Sequence, residues 1–253
     1  MLKAERWDLI EKCIEEKGYV SSADLIERTA TSKATIRRDL ISMAEAGLIS
    51  LTHGGAISTM HKLSPEDSYE DKNITNSEEK NRIAELTASL IEPGSKIIID
   101  SGTTTLKLVP YLRKIPNLTV ITNDVNIACC LYNSSNIEVV MIGGSVRPGY
   151  CTVIGSYAEH QIENLSADLC IIGADSINDK GIFIANINEV GVKEKIVKAS
   201  NSAIVVADHG KLGRKNFAKV CTLNDIDTIV TGKEAEKLSC SKNIESKCSL
   251  LFA

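Results

Sequence analysis

The stretch from Ala30 to Ile57 constrains this chain more than any other. Ala30-Thr31-Ser32 is a tight connection, and Ser32 is placed to cap a helix running to Ala46. Its apolar residues Ile36, Leu40, Met43 and Ala44 follow at i, i+4, i+7 and i+8, so one face has to be buried. Upstream, Trp7, Leu9, Ile10, Cys13 and Ile14 predict a first helix over 3–17, ended by Gly18. Ser21 or Ser22 caps a second, short helix from Ala23 to Arg28, with Leu25 and Ile26 facing inward. Gly47 stands where a left-handed residue closes the third helix. Leu48-Ile49-Ser50-Leu51 and Ala56-Ile57 then read as two strands around a His53-Gly54-Gly55 turn. Three short helices with a tight turn before the last, followed by a hairpin, describe a winged helix-turn-helix over residues 1–58.

With Ile36 and Leu40 inside, the third helix turns Ser32, Lys33, Thr35, Arg37 and Arg38 outward. Hydroxyls and cations at a helix start suit phosphates and base edges in a major groove. The Arg37-Arg38 pair is the sharpest element, because a guanidinium grips phosphate or guanine with two parallel hydrogen bonds. Ser22, His53 and Gly54 complete the expected DNA-contacting set. Arginines on a helix are often only a solvated face; here the turn, the caps and the wing favour contact. The net charge of −4 excludes a general polyanion binder but not a local basic face.

Residues 59–75 are polar and aperiodic, as a linker is. A helix follows over 77–91, with Asn76 and Glu79 spaced as a capping box. Aliphatic strands are predicted at Lys96–Asp100, Leu118–Thr122, Glu138–Ile142, Asp168–Gly173, Ala203–Asp208 and Thr228–Thr231, with helical patterns between most of them. That alternation makes residues 76–253 an α/β domain on a largely parallel sheet. Aromatic residues are only 4% of the chain, so its core must rest on aliphatic side chains, as buried parallel strands require.

Asp100-Ser101-Gly102-Thr103-Thr104-Thr105 follows the first of these strands and opens a helix. Its successive N–H groups and threonine hydroxyls form a seat for an anion such as phosphate, unless the threonines serve only as caps. Loops at Thr122-Asn123-Asp124, Gly143-Gly144, Gly173-Ala174-Asp175 and Asp208-His209-Gly210-Lys211 fall at the same carboxyl ends of strands, where open α/β sheets bind ligands. Amides and lysines for a phosphate, with carboxylates and Asn123 for hydroxyls, suit a phosphorylated polyol. Lys193 and Lys195 are further phosphate candidates; a solvated surface role fits each equally.

The eight cysteines show no C-x-x-C pair and no paired Cys/His spacing, so neither a metal site nor a disulfide framework is expected. Cys129, Cys170 and Cys221 lie in apolar stretches and read as buried thiols. No apolar run is long enough to span a membrane and MLKAERWDLIEK is no signal peptide, so a cytoplasmic location is expected. No cofactor is expected. A helix-turn-helix reads paired half-sites, which implies a homodimer or tetramer, with no sustained heptad to mark the contact.

Thr31-Ser32-Lys33-Ala34-Thr35-Ile36-Arg37-Arg38-Asp39-Leu40, then Glu45-Ala46-Gly47-Leu48-Ile49 and His53-Gly54-Gly55-Ala56, resemble the DeoR family of bacterial transcription regulators. The resemblance departs at Ser50, Leu51 and Thr52, where the family carries basic residues, so this wing offers less charge to phosphate. It implies a sensor domain similar to the sugar-phosphate isomerase fold. It also implies that Ser101–Thr105 hold the phosphate, that Asp175 and Lys193 face the sugar, and that a bound sugar phosphate relieves repression of a carbohydrate operon. An isomerase-like enzyme with a DNA-binding domain is the rival reading, because Lys193-Glu194-Lys195 and Lys180-Gly181 echo enzyme elements and Glu194 occupies the place of a general base. Against it, Ile172 stands where the enzyme pattern has an Asp, and Lys180 is too far from Glu194 in sequence. A third reading gives the second domain a role in assembly alone, with no ligand.

Overall fold

The computed structural model describes residues 3–17, 19–45, 48–52, 54–58 and 66–253. The chain divides into two compact units, Met1–Ser64 and Pro65–Ala253.

In the first unit, α1 (Lys3–Lys17), α2 (Ser22–Thr29) and α3 (Lys33–Glu45) bury Ile10, Ile14, Leu25, Ile36, Leu40 and Met43 against one another. Each such side chain contributes on the order of 1.5–3 kcal/mol. Ser21 rather than Ser22 caps α2, accepting from the Asp24 N–H at 3.0 Å. Ala30, in the left-handed region at φ 50°, ends that helix and makes the tight turn. Ser32 caps α3 as its position predicts, its Oγ accepting from the Thr35 N–H at 3.2 Å. The Gly47 helix stop and the His53 contact fall outside the described residues. Buried Asp39 on α3 pairs with Arg6 on α1 at 2.6 Å.

The wing has three strands where the sequence suggested two. Strands β1 (Tyr19–Ser21), β2 (Ile49–Thr52) and β3 (Gly55–Ser58) pair antiparallel in the order β1-β3-β2. Gly55 belongs to β3, opposite Ser21, instead of to the turn. A Cβ on Gly55 would stand 1.9 Å from the Val20 carbonyl oxygen, so the close approach of β1 and β3 admits no side chain there.

The second unit opens with α4 (Tyr69–Ile74), α5 (Ser77–Ala88), β4 (Lys96–Ile99), α6 (Thr103–Leu106), α7 (Val109–Leu112), β5 (Leu118–Thr122), α8 (Val125–Leu131) and β6 (Ile137–Met141). A hairpin of β7 (Ser145–Val146) and β8 (Val153–Ile154) leads to α9 (Ser156–Glu163) and β9 (Ala167–Gly173). Then come β10 (Ser176–Asn178), β11 (Gly181–Ile184), α10 (Val190–Lys198), β12 (Ser200–Val206), β13 (Ala218–Cys221), β14 (Thr228–Thr231), α11 (Ser241–Glu245) and β15 (Ser249–Phe252). Seven strands form one parallel sheet in the order β15-β14-β12-β9-β4-β5-β6. Alternate residues feed opposite cores: Ile97, Ile99, Leu169 and Ile171 meet α5, α7 and α8, while Ile98, Cys170 and Ile172 meet α9 and α10. That two-sided burial explains the unbroken aliphatic runs.

Several expectations change. Part of the proposed 59–75 linker is folded: α4 lies within it, capped by Ser68, and belongs to the second unit. Asn76 makes no capping box; it sits left-handed at φ 54° with no side-chain cap bond, and its amide donates to Asp208 Oδ1 at 2.8 Å. Glu79 turns to His209 instead. Strand β15 and the antiparallel set β10-β11-β13 were not foreseen. Cys129 is exposed and Cys221 half-buried, leaving Cys170 as the buried thiol of the three. No helix among the described residues is long and apolar enough to cross a membrane.

Candidate functional site

In the first unit, α3 presents Ser32, Lys33, Arg37 and Arg38 on its exposed side while Ile36 and Leu40 are buried. Ser32 Oγ and Thr35 Oγ1 lie 3.0 Å apart at the helix start. No carboxylate pairs with Lys33, Arg37 or Arg38 among the described residues, so their charge faces solvent. The wing turn is tied to α2 where the Ser22 N–H donates to the Gly54 carbonyl at 2.6 Å. Leu51, at 47% exposure, gives β2 an apolar side chain toward solvent.

In the second unit, the carboxyl ends of β4, β9 and β12 border a cavity that opens to solvent. Ser101, Gly102, Thr103 and Thr104 line one wall; Asp175, Lys193, Asp208 and Lys211 also line it. Asp100 and Thr105 do not line it. The Lys193 ammonium makes a short contact with Asp100 Oδ2, which also accepts from the Gly173 N–H at 3.1 Å. Thr105 folds its hydroxyl back to the Gly102 carbonyl at 2.9 Å. Asn123 Oδ1 accepts from the Ser101 N–H at 3.1 Å, and Thr122 Oγ1 accepts from the Asp124 N–H at 3.0 Å. These two shape the loop from behind without lining the cavity.

Gly143 and Gly144 do not reach it. They follow the edge strand β6, where the Gly143 N–H is taken by Gln161 Oε1 at 3.1 Å. Lys195 also points elsewhere and pairs with Glu163. Glu194 does not line the cavity and pairs with Lys198 at 3.8 Å, away from the place the enzyme reading gives it.

Residues not singled out from sequence supply much of the wall. Glu66, Tyr69, Lys72, Lys80, Tyr150 and Glu189 all line it. Lys72 on α4 pairs with Asp175 at 2.9 Å and Glu66 at 3.0 Å. Burial opposes its charge, yet Asp175 and Glu66 lift its pKa above the ordinary lysine value. Burial likewise works against the Asp175 carboxylate, but Lys72 holds it below the usual range. Burial prevails at Glu189, raising its carboxyl despite Lys193 and Arg147.

Lys80 differs from these. It is 2% exposed, and its ammonium donates to Thr103 Oγ1 at 3.1 Å and to the Lys72 carbonyl. No carboxylate lies within ion-pair distance of Lys80 or of Lys211 among the described residues. Burial pushes the Lys80 ammonium down to about 8; Asp208 resists, while Lys211, Lys107 and Lys72 add to the depression. Asp124 shows the mirror effect: burial lifts its carboxyl to about 6, although it accepts N–H bonds from Ile127, Asn126 and Gly102. The arrangement can take an anion at Lys80, Thr103 and Lys211 and offer carboxylates and hydroxyls to the rest of a polar ligand.

Comparison with known proteins covers both units. A family model described as the DeoR C terminal sensor domain matches residues 75–233, and one described as the DeoR-like helix-turn-helix domain matches residues 6–62. The HTH-type transcriptional repressor GlcR of Bacillus subtilis (strain 168) is 32% identical over 241 residues, covering 95% of this chain and 92% of its own length. The glycerol-3-phosphate regulon repressor of Escherichia coli (strain K12) is 32% identical over 232 residues, covering 91% of each chain. Among solved structures, ribose 5-phosphate isomerase A of Methanocaldococcus jannaschii overlaps 56% of each chain at 16% identity and a TM-score of 0.40.

Proposed function

Because this chain belongs to the DeoR family of transcription regulators and carries both of its modules, we propose that it represses transcription from an operator and releases it on binding a phosphorylated sugar or polyol. The observation that carries the reading is Lys80, a buried ammonium with hydroxyl and carbonyl partners but no carboxylate, in the wall of an open cavity. A buried cation without its counter-ion is costly, and a phosphate arriving beside it repays that cost. Thr103 and Lys211 supply further donors, and Asp175 and Asp208 face hydroxyls. In the other unit, Lys33, Arg37 and Arg38 form the DNA face, with Ser32 and Thr35 at the helix start. Paired half-sites call for a homodimer or tetramer.

Release from DNA follows if the ligand binds the DNA-incompetent arrangement more tightly than the competent one. The relatives' printed names speak for repression, one of them within a glycerol-3-phosphate regulon. The isomerase alternative finds no support in this family.

The test is a gel shift on the DNA upstream of the chain's own gene, titrated with a panel of phosphorylated sugars and polyols. One of them releases the wild type and fails to release Thr103→Ala. If no phosphorylated compound releases the DNA or stabilises the protein thermally, the second unit serves assembly and the sensor reading is lost.

A further inference from the structure

Beside the Lys80 position, the wall of the same cavity already holds an anion that belongs to the chain, Glu66. Arg147 Nη1 donates to Glu66 Oε1 at 2.9 Å and Nη2 makes a short bond to Oε2, so the guanidinium fork grips one carboxylate with both arms. Lys72 Nζ donates to the same Oε1 at 3.0 Å. The Tyr150 ring backs this pair, with Arg147 Cζ 3.7 Å and Lys72 Nζ 5.5 Å from its centroid. Glu66 itself lies in no helix or strand and precedes α4, so withdrawing it breaks no secondary structure.

Withdrawing Glu66 also leaves no stranded charge among its partners. Arg147 keeps Glu189 at 2.6 Å and Lys72 keeps Asp175 at 2.9 Å. What opens is a bidentate position for one carboxylate, flanked by an ammonium and an aromatic face. An incoming acid group exchanges with Glu66 one for one and leaves the charge of this wall unchanged. A neutral polyol gains nothing from the exchange and leaves Glu66 in place.

We propose that Glu66 is an internal stand-in for a second acidic group of the effector, so that the effector is a phosphorylated sugar acid. Its phosphate sits at the Lys80 end, and its carboxylate replaces Glu66 on Arg147 and Lys72. The proposal rests on the reading of this cavity as a phosphosugar site.

Isothermal titration of the full chain with matched ligands tests it. Glucitol 6-phosphate is paired with 6-phosphogluconate and glycerol 3-phosphate with 3-phosphoglycerate, so that reach and charge vary separately; inorganic phosphate is the control. In at least one pair the acid binds the wild type roughly tenfold or more tightly than the alcohol. Glu66→Gln widens that ratio by removing the competing carboxylate, and Arg147→Gln collapses it toward one. Should Arg147→Gln not fold, the wild-type ratio and its change in Glu66→Gln decide. Equal or tighter binding of the alcohol in both pairs overturns the second acid position while leaving the phosphate reading intact. If neither pair nor inorganic phosphate binds, the phosphate reading falls and this proposal falls with it.

Discussion

Lys80 Nζ lies 3.1 Å from Thr103 Oγ1, which joins the buried start of α5 to the loop after β4. In the proposed site this pair marks the phosphate position, and its ammonium has a pKa depressed to about 8.

An anion beside Lys80 restores its charge, so ligand binding takes up a proton in the range where the free ammonium is partly neutral. The Lys80 contribution to affinity for the phosphate dianion is therefore constant well below pH 8 and falls as pH rises through about 8. Titration of an effector at pH 8, where its phosphate is already dianionic, in two buffers of different ionisation enthalpy gives different apparent heats. Lys80→Met loses most of the affinity and all of the buffer dependence. A pH-independent affinity from 7 to 9 in the wild type contradicts this placement.

Arg37→Ala and Arg38→Ala each weaken operator binding, by roughly tenfold or more for a bidentate contact. Both residues are exposed on α3, so stability from denaturant melts stays within about 0.5 kcal/mol of wild type. Each lost phosphate contact also lowers the salt slope by about 1, whereas a base contact relaxes sequence preference at one position. Mobility shifts at three salt concentrations separate the two roles. Unchanged affinity in both variants removes α3 from the DNA face.

How far the chain could be read from sequence depends on how local the signal is. The inner face of α3 was legible because its period of 3.6 acts within one element, and the parallel strands because burial on both sheet faces makes each a continuous aliphatic run. Ser101–Thr105 was legible because strand, glycine and hydroxyls are consecutive. The other wall was not: Glu66 meets Arg147 across 81 residues, and Lys72 meets Asp175 across 103. A polar, aperiodic stretch therefore passed for a linker although its charges are held by partners far along the chain. Gly143-Gly144 erred the other way. Any carboxyl end of a strand is a candidate for the site, but β6 is the sheet edge and its loop turns to Gln161.

Gly55→Ala tests the three-stranded wing. The new methyl meets the Val20 carbonyl oxygen at 1.9 Å and Ser21 Cα at 2.8 Å, both backbone atoms that no rotamer change can move. Relief requires opening β1 from β3, at a cost above about 2 kcal/mol. The first unit loses stability and DNA affinity while phosphate binding by the second persists. Circular dichroism melts with parallel DNA and phosphate titrations show the split. Undiminished DNA binding argues against the register of β1 on β3.

Asp124 gives the second unit a pH dependence of opposite sense to an ordinary surface carboxylate. Its pKa rises from 3.8 to about 6 because burial outweighs the N–H bonds it accepts. The folded state therefore holds the proton more tightly than the unfolded one. The stability this contributes is fully present below pH 4 and is lost as pH rises through about 6. Asp124→Asn keeps an acceptor for the Asn126 N–H, 2.7 Å away in the wild type, and for the Ile127 N–H, but it never carries the buried charge. It gives up the acceptor that faces the Gly102 N–H at 3.3 Å, a penalty that does not vary with pH. The difference in stability between variant and wild type accordingly shifts in favour of the variant from pH 4 to pH 7, by up to about 3 kcal/mol. Denaturant melts at those two pH values measure the shift, and a difference that stays constant shows that Asp124 is not the buried acid this geometry makes it.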